Sequence, residues 1–203
     1  MENDPMLGPI GLDSDFDMHE AARPAAAEHD AEREQFERAV RDALTNTYNR
    51  SYLLDRLEAD FPYAIRHQSS LSVLVFDVDD FKTVNERFGR AAGDEVLTRL
   101  ATTLKHAIRA EDVLARLAGD TFAVLMRDVD AINAAMLSER LCERIRQTSF
   151  EFEGDAIAVT VSVGIGALGE NPDPSIKTSR DIIDRALRNL EEPQDTDNDS
   201  FSD

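Results

Sequence analysis

"LSVLVFDVDDFKTVNERFG" (71–89) decides the class of the fold. Its first part is apolar and β-branched without alternation, the pattern of a central strand covered on both faces. It ends in Asp77, Val78, Asp79, Asp80, Phe81 and Lys82, and the remainder has the spacing of a short helix closed by Gly89. A buried strand that delivers straight into a helix is an α/β unit. Carboxylates where a strand leaves a sheet suit a hard cation such as Mg²⁺, which takes oxygen ligands. The same acids also read as a solvated cluster with Asp79 or Asp80 as the helix N-cap.

Outward from this stretch, helices and strands interleave. A leading helix is expected over 31–45, where Phe36, Ala39, Val40, Ala43 and Leu44 make one apolar stripe that "TNTYNR" (45–50) interrupts. Helical spacing resumes over 51–68 through Leu53, Leu54, Leu57 and Phe61, with Pro62 as a kink or the start of the last segment. Residues 93–108 form an amphipathic helix through Val96, Leu97, Leu100, Leu104 and Ile108. "DVLARLA" (112–118) and "TFAVLMRDV" (121–129) read as a hairpin around Gly119. A helix over 131–149, a strand over 156–168 and a last helix over 179–190 complete an α/β sandwich with a mixed sheet.

With 203 residues and 42% hydrophobic content, the chain fits one domain with extensions. Of its net charge of −19, residues 1–30 carry −7 and residues 191–203 carry −6, which leaves −6 on the stretch between. Such acidity disfavours sequence-independent binding of nucleic acid or an anionic membrane. Both acidic ends have the composition of disordered tails. "MLGPIGLDSDF" (6–16) within the first reads as a linker or as a docking peptide for a partner. Cys142 is the single cysteine, which excludes a zinc centre or an internal disulfide and fits a buried residue in a reducing compartment. His19, His29, His67 and His106 have no ligand spacing. No run approaches the length of a membrane span and no secretory pattern is visible, so a cytoplasmic location is expected.

Four stretches carry a family resemblance: "DALTNTYNR" (42–50), "FDVDDFKTVNERFGRAAGDEVL" (76–97), "RAEDVLARLAGDTF" (109–122) and "VTVSVGIG" (159–166). In this order and spacing they resemble the GGDEF domain of diguanylate cyclases, which join two GTP molecules into cyclic di-GMP. The resemblance covers about residues 40–190 and implies a five-stranded mixed sheet surrounded by helices. It implies metal binding at Asp77, the Val78 carbonyl and Asp120, guanine recognition by Asn85 and Asp94, and phosphate contact by Lys82.

The departures fall at the chemistry. The signature turn is Ala118, Gly119, Asp120, Thr121 and Phe122, so Ala replaces the first Gly and Thr replaces the signature Glu. A hydroxyl supplies no negative charge to a metal and takes up no proton at neutral pH. At the end of the last helix, Arg188, Glu191 and Asp195 stand where the family has Tyr, Lys and a phosphate-binding Arg. Ahead of the turn, Arg109 and Asp112 match the family's product-binding Arg-x-x-Asp site, and Arg140 and Arg66 match positions that complete it. An Arg fork suits guanine O6 and N7, and a carboxylate accepts from guanine N–H groups.

The expectation is therefore a catalytically inactive cyclic di-GMP receptor that signals to a protein partner, through the N-terminal segment or the domain surface. A homodimer is a further possibility. No cofactor is required, with Mg²⁺ bound only where nucleotide still occupies the old active site. The alternatives are a weakly active diguanylate cyclase under product inhibition and a ligand-independent scaffold.

Overall fold

The computed structural model describes residues 33–169 and 175–191. The chain divides into two units, Met1–Ala39 and Val40–Asp203. In the first, residues 33–39 belong to a helical stretch that runs on to 40 (α1), and Phe36 on it is exposed. The expectations for the acidic head, its docking peptide and the tail beyond Glu191 lie outside the described residues.

The second unit runs β1 (Tyr48–Asn49), α2 (Arg50–His67), β2 (Leu71–Val78), α3 (Phe81–Phe88), α4 (Arg90–Lys105), β3 (Val113–Ala118), β4 (Thr121–Arg127), α5 (Ala131–Arg146), β5 (Phe150–Phe152), β6 (Asp155–Ile157), β7 (Val161–Leu168) and α6 (Ser179–Glu191). Five strands form one sheet in the order β1-β3-β4-β2-β7. The β1–β3 pair is parallel and the others antiparallel, so the sheet is mixed, as the resemblance implies.

β2 is buried on both faces because each face meets a separate apolar layer. Leu74, Phe76 and Val78 join Val96, Leu97, Leu100 and Leu104 of α4 and Leu141 and Ile145 of α5. Leu71, Val73 and Val75 join Leu53 and Leu57 of α2 and Ile182, Ile183 and Ala186 of α6. This two-sided burial is why the strand reads as continuous rather than alternating. α6 lies so close to β7 that a Cβ on Gly164 or Gly166 would run into the Ala186 or Ile182 carbonyl.

Three local readings differ. The leading helix stops at 40, short of the expected 45, because the chain folds back on itself. Asp42 N–H donates to the Thr47 carbonyl at 2.9 Å, and Asp42 Oδ1 accepts from Thr45 N–H and Oγ1. The strand expected over 156–168 is two strands. The first, β6, pairs with β5 around Glu153 and Gly154, both at positive φ (52° and 92°), the backbone of a tight hairpin turn. Finally, Pro62 starts no separate segment: it sits inside the single helix α2.

Candidate functional site

The β3–β4 turn lies beside the end of β2. Gly119 takes φ 50°, whereas Ala118 is not among the residues at positive φ, so alanine there costs no backbone strain. Across the sheet, Thr121 is registered opposite Asp77, and its Oγ1 donates to Asp77 Oδ1 at 2.8 Å. Partial burial, and then the nearby Asp77 charge, push the Asp120 carboxyl above the usual aspartate range. Two carboxylates that repel one another can seat a divalent cation. Among the described residues, however, no three acidic, His or Cys side chains gather as a metal cluster. Asp77 and Asp120 therefore fit a metal only in part. Beside this pair Thr121 presents a hydroxyl, already committed to Asp77.

The neighbouring acids are also committed. Asp79 accepts from Thr160 Oγ1 at 2.6 Å and Ser162 Oγ at 2.7 Å. Asp80 takes the N-cap position of α3 at φ 52° but makes no side-chain cap bond, so neither acid performs the capping expected as the simpler reading. α3 packs on α4 with Asn85 against Gly93. Asn85 Nδ2 donates to the Phe81 carbonyl at 3.2 Å and its Oδ1 presses on Gly93, the residue before Asp94. Lys82 points outward and pairs with Glu86 at 3.5 Å.

One face of the turn between α4 and β3 borders a cleft of about 430 Å³. It gathers Arg109 and Asp112 from that turn, Asn133, Met136 and Arg140 from α5, and Asp128 after β4. Asp112 is the staple of the turn. Its Oδ2 accepts from Arg109 N–H at 2.9 Å, and its own N–H donates to the Arg109 carbonyl at 3.2 Å. The other oxygen, Oδ1, is buried without a hydrogen-bond partner among the described residues. Burial holds the Asp112 carboxyl above its ordinary range, against the opposing pull of the Arg109 N–H and charge. The Arg109 and Arg140 side chains are exposed, and neither enters an ion pair among the described residues. Ile132 and Met136, 74% and 64% exposed, stand one helical turn apart on α5. Arg66, by contrast, lies in the last turn of α2 and lines neither this cleft nor the one on the other side of the turn.

One connection escaped the sequence reading. Arg116, in β3, donates from Nε to the Gly119 carbonyl at 2.8 Å and from a terminal nitrogen to Asp42 Oδ1 at 3.1 Å. This ties the signature turn to the loop after α1. The available signal was a charged residue inside an otherwise apolar strand.

The family model for "Diguanylate cyclase, GGDEF domain" matches residues 39–196. Among curated relatives from Pseudomonas aeruginosa, the bifunctional diguanylate cyclase/cyclic di-GMP phosphodiesterase MucR is 38% identical over 66% of this chain and 20% of its own length. The diguanylate cyclase DgcP is 36% identical over 72% of this chain and 22% of its own length. The chain thus matches only about a fifth of these proteins. Among solved structures, diguanylate cyclase SiaD in complex with its activator SiaC, from the same organism, has a TM-score of 0.72 at 28% identity, over 85% of this chain and 65% of that one. The coiled coil and GGDEF domain of DgcB from Caulobacter crescentus, in complex with c-di-GMP, has a TM-score of 0.72 at 23% identity, over 86% of this chain and 92% of that one, and supports the fold. With the family model spanning most of the chain and relatives such as DgcP matching 72% of it, this protein belongs to the GGDEF, diguanylate cyclase, family.

Proposed function

We propose that this GGDEF protein is a receptor for cyclic di-GMP rather than a source of it, and that it signals to a protein partner. The observation that carries the reading is Asp112, whose buried Oδ1 has no hydrogen-bond partner among the described residues, lining one cleft with Arg109 and Arg140. An orphaned buried acceptor costs free energy unless something donates to it, and guanine N1–H and N2–H are donors of the right kind. Arg109 and Arg140 then supply the forks for guanine O6 and N7 and for phosphate.

The catalytic turn supports the negative half of the proposal. A divalent metal, when bound, would supply Lewis acidity and charge neutralisation for phosphoryl transfer. Asp77 and Asp120 are the residues that would hold it, but Thr121 hydrogen-bonds Asp77 in place of a third carboxylate. Met136, which lines the cleft, and Ile132, one helical turn before it, offer a partner an exposed apolar surface.

Calorimetric titration with cyclic di-GMP tests the receptor reading. Binding that Arg109→Ala abolishes supports it, and absence of binding refutes it. The second reading, a weak cyclase, is favoured by the retained Asp77–Asp120 pair. Cyclic di-GMP formed from GTP with Mg²⁺ or Mn²⁺ would establish that reading.

A further inference from the structure

The turn at 109–112 has a second face that the receptor reading leaves unused. There a cleft of about 320 Å³ is lined by Arg41, Thr47, Tyr48, Lys105, Arg109 and Asp112. Three cations converge on it against one carboxylate, in a protein of net charge −19. Composition alone does not produce such a concentration.

The cations differ in how they are held. The Arg41 guanidinium lies over the Tyr48 ring, 4.4 Å from its centroid, and donates to the Asn46 carbonyl at 3.2 Å. Tyr48 in turn stacks on Tyr52, with centroids 3.9 Å apart and planes 9° from parallel. Arg41 is thereby fixed in one orientation, which lowers the entropy cost of using it for binding. Lys105, exposed at the end of α4, and Arg109 are in no ion pair among the described residues. Both faces of the Tyr48 ring are covered, by Arg41 and by Tyr52, so the cleft offers no aromatic platform for a base. Fixed and free cations around a small concavity are the chemistry of an anion.

We infer that this second cleft is a phosphate subsite, built by Arg41, Lys105 and Arg109, for the nucleotide whose guanine meets Asp112. Arg109 lines both clefts, so one ligand straddles the turn, with base on the α5 side and phosphate on the 41–48 side. The identity of the nucleotide rests on the receptor reading; the preference for phosphate rests on the cleft itself. Arg41 directly follows the helical stretch 33–40, and its neighbour Asp42 bonds Arg116. Phosphate engaged there touches the loop that carries both connections.

The test uses the full chain and two probes, cyclic di-GMP by calorimetry and pyrophosphate by backbone NMR. Lys105→Ala is expected to weaken cyclic di-GMP binding roughly 5- to 20-fold, the size of one exposed charge-assisted phosphate contact. Lys105→Arg should restore most of it, and Lys177→Ala, an equal change of net charge elsewhere, should leave it alone. Unaltered affinity in Lys105→Ala overturns the inference even if cyclic di-GMP binds. If cyclic di-GMP does not bind at all, the receptor reading fails and pyrophosphate decides the subsite. Shifts at the Thr47 and Tyr48 amides that vanish in Lys105→Ala sustain it, and their absence ends it.

Discussion

Asp112→Asn separates the cost of this residue in the fold from its use in binding. In the folded chain, Asp112 Oδ2 accepts the Arg109 N–H, while Oδ1 is buried with no donor. Asparagine can keep the first bond through its amide oxygen and remove the buried charge, so the fold should lose no more than about 0.5 kcal/mol and can gain. Binding should respond in the opposite direction. On the proposed receptor reading, the acceptor offered to guanine becomes an NH₂ donor, which removes a charge-assisted bond worth about 1.5–3 kcal/mol, or roughly 10- to 150-fold in affinity. The pH dependence follows from the raised Asp112 pKa. Because the folded chain holds this proton to higher pH than the unfolded chain, stability falls as pH rises between the ordinary aspartate value and the raised one. Asp112→Asn should flatten that fall. Urea denaturation across this window, paired with calorimetry of cyclic di-GMP, measures both halves. Undiminished binding in Asp112→Asn, or a loss of more than about 1.5 kcal/mol of stability, would refute the reasoning.

Other sites give equally direct expectations. Thr121→Val removes the bond to Asp77 and should cost about 0.5–1.5 kcal/mol by chemical denaturation. Thr121→Glu should raise Mn²⁺ affinity by calorimetry, with no more than trace turnover of GTP, because Arg188 and Glu191 still stand at the end of α6. Burial pushes the Asp42 carboxyl up, but bonds from Thr45 and Arg116 outweigh it and leave its pKa lowered. Its contribution is therefore complete above the ordinary aspartate value and lost as pH falls through the lowered one. Asp42→Asn should destabilise the chain by about 1–2 kcal/mol near neutrality and by less in acid, as urea midpoints at the two pH values will tell. Gly166→Ala drives a Cβ into the Ile182 carbonyl and should cost about 2–3 kcal/mol while sparing cyclic di-GMP affinity; a change below 0.5 kcal/mol, on the scale of a neutral surface substitution, contradicts the close packing of α6 on β7.

How much of this was legible in the sequence depended on the range of the forces involved. β2, α4 and α5 were read from residues 71–79, 93–108 and 131–149 because apolar periodicity is local and strong. The two-residue β1 and the end of α1 at 40 were not, since both depend on the loop that Asp42 organises with Thr45, Thr47 and, 74 positions away, Arg116. The β5–β6 hairpin turns on two positive-φ residues, Glu153 and Gly154, only one of which announces itself as glycine. At the site, Thr121 was read from the sequence as standing in place of the signature carboxylate. That its hydroxyl turns onto Asp77 was not, because the partner lies 44 residues upstream. The second cleft was invisible for the same reason, being assembled from residues at 41–48 and 105–114.

The state of the polar groups without ligand distinguishes the two ends of β3. A site kept for a ligand leaves donors and acceptors unsatisfied, because the ligand is their partner; a site no longer selected for one can satisfy them internally. At the signature end, Asp77 is bonded by Thr121, Asp79 by Thr160 and Ser162, Asn85 by Phe81, and Lys82 is paired with Glu86. At the other end, six residues of strand away, Asp112 Oδ1 has no donor and the Arg109 and Arg140 guanidinium groups are in no ion pair among the described residues. Chain acidity sharpens the contrast, since acids outnumber bases 41 to 22 and unpaired arginines have carboxylates in excess to choose from. Cations left uncommitted under those conditions, around a buried acceptor, favour binding at 109–112 over chemistry at 118–122.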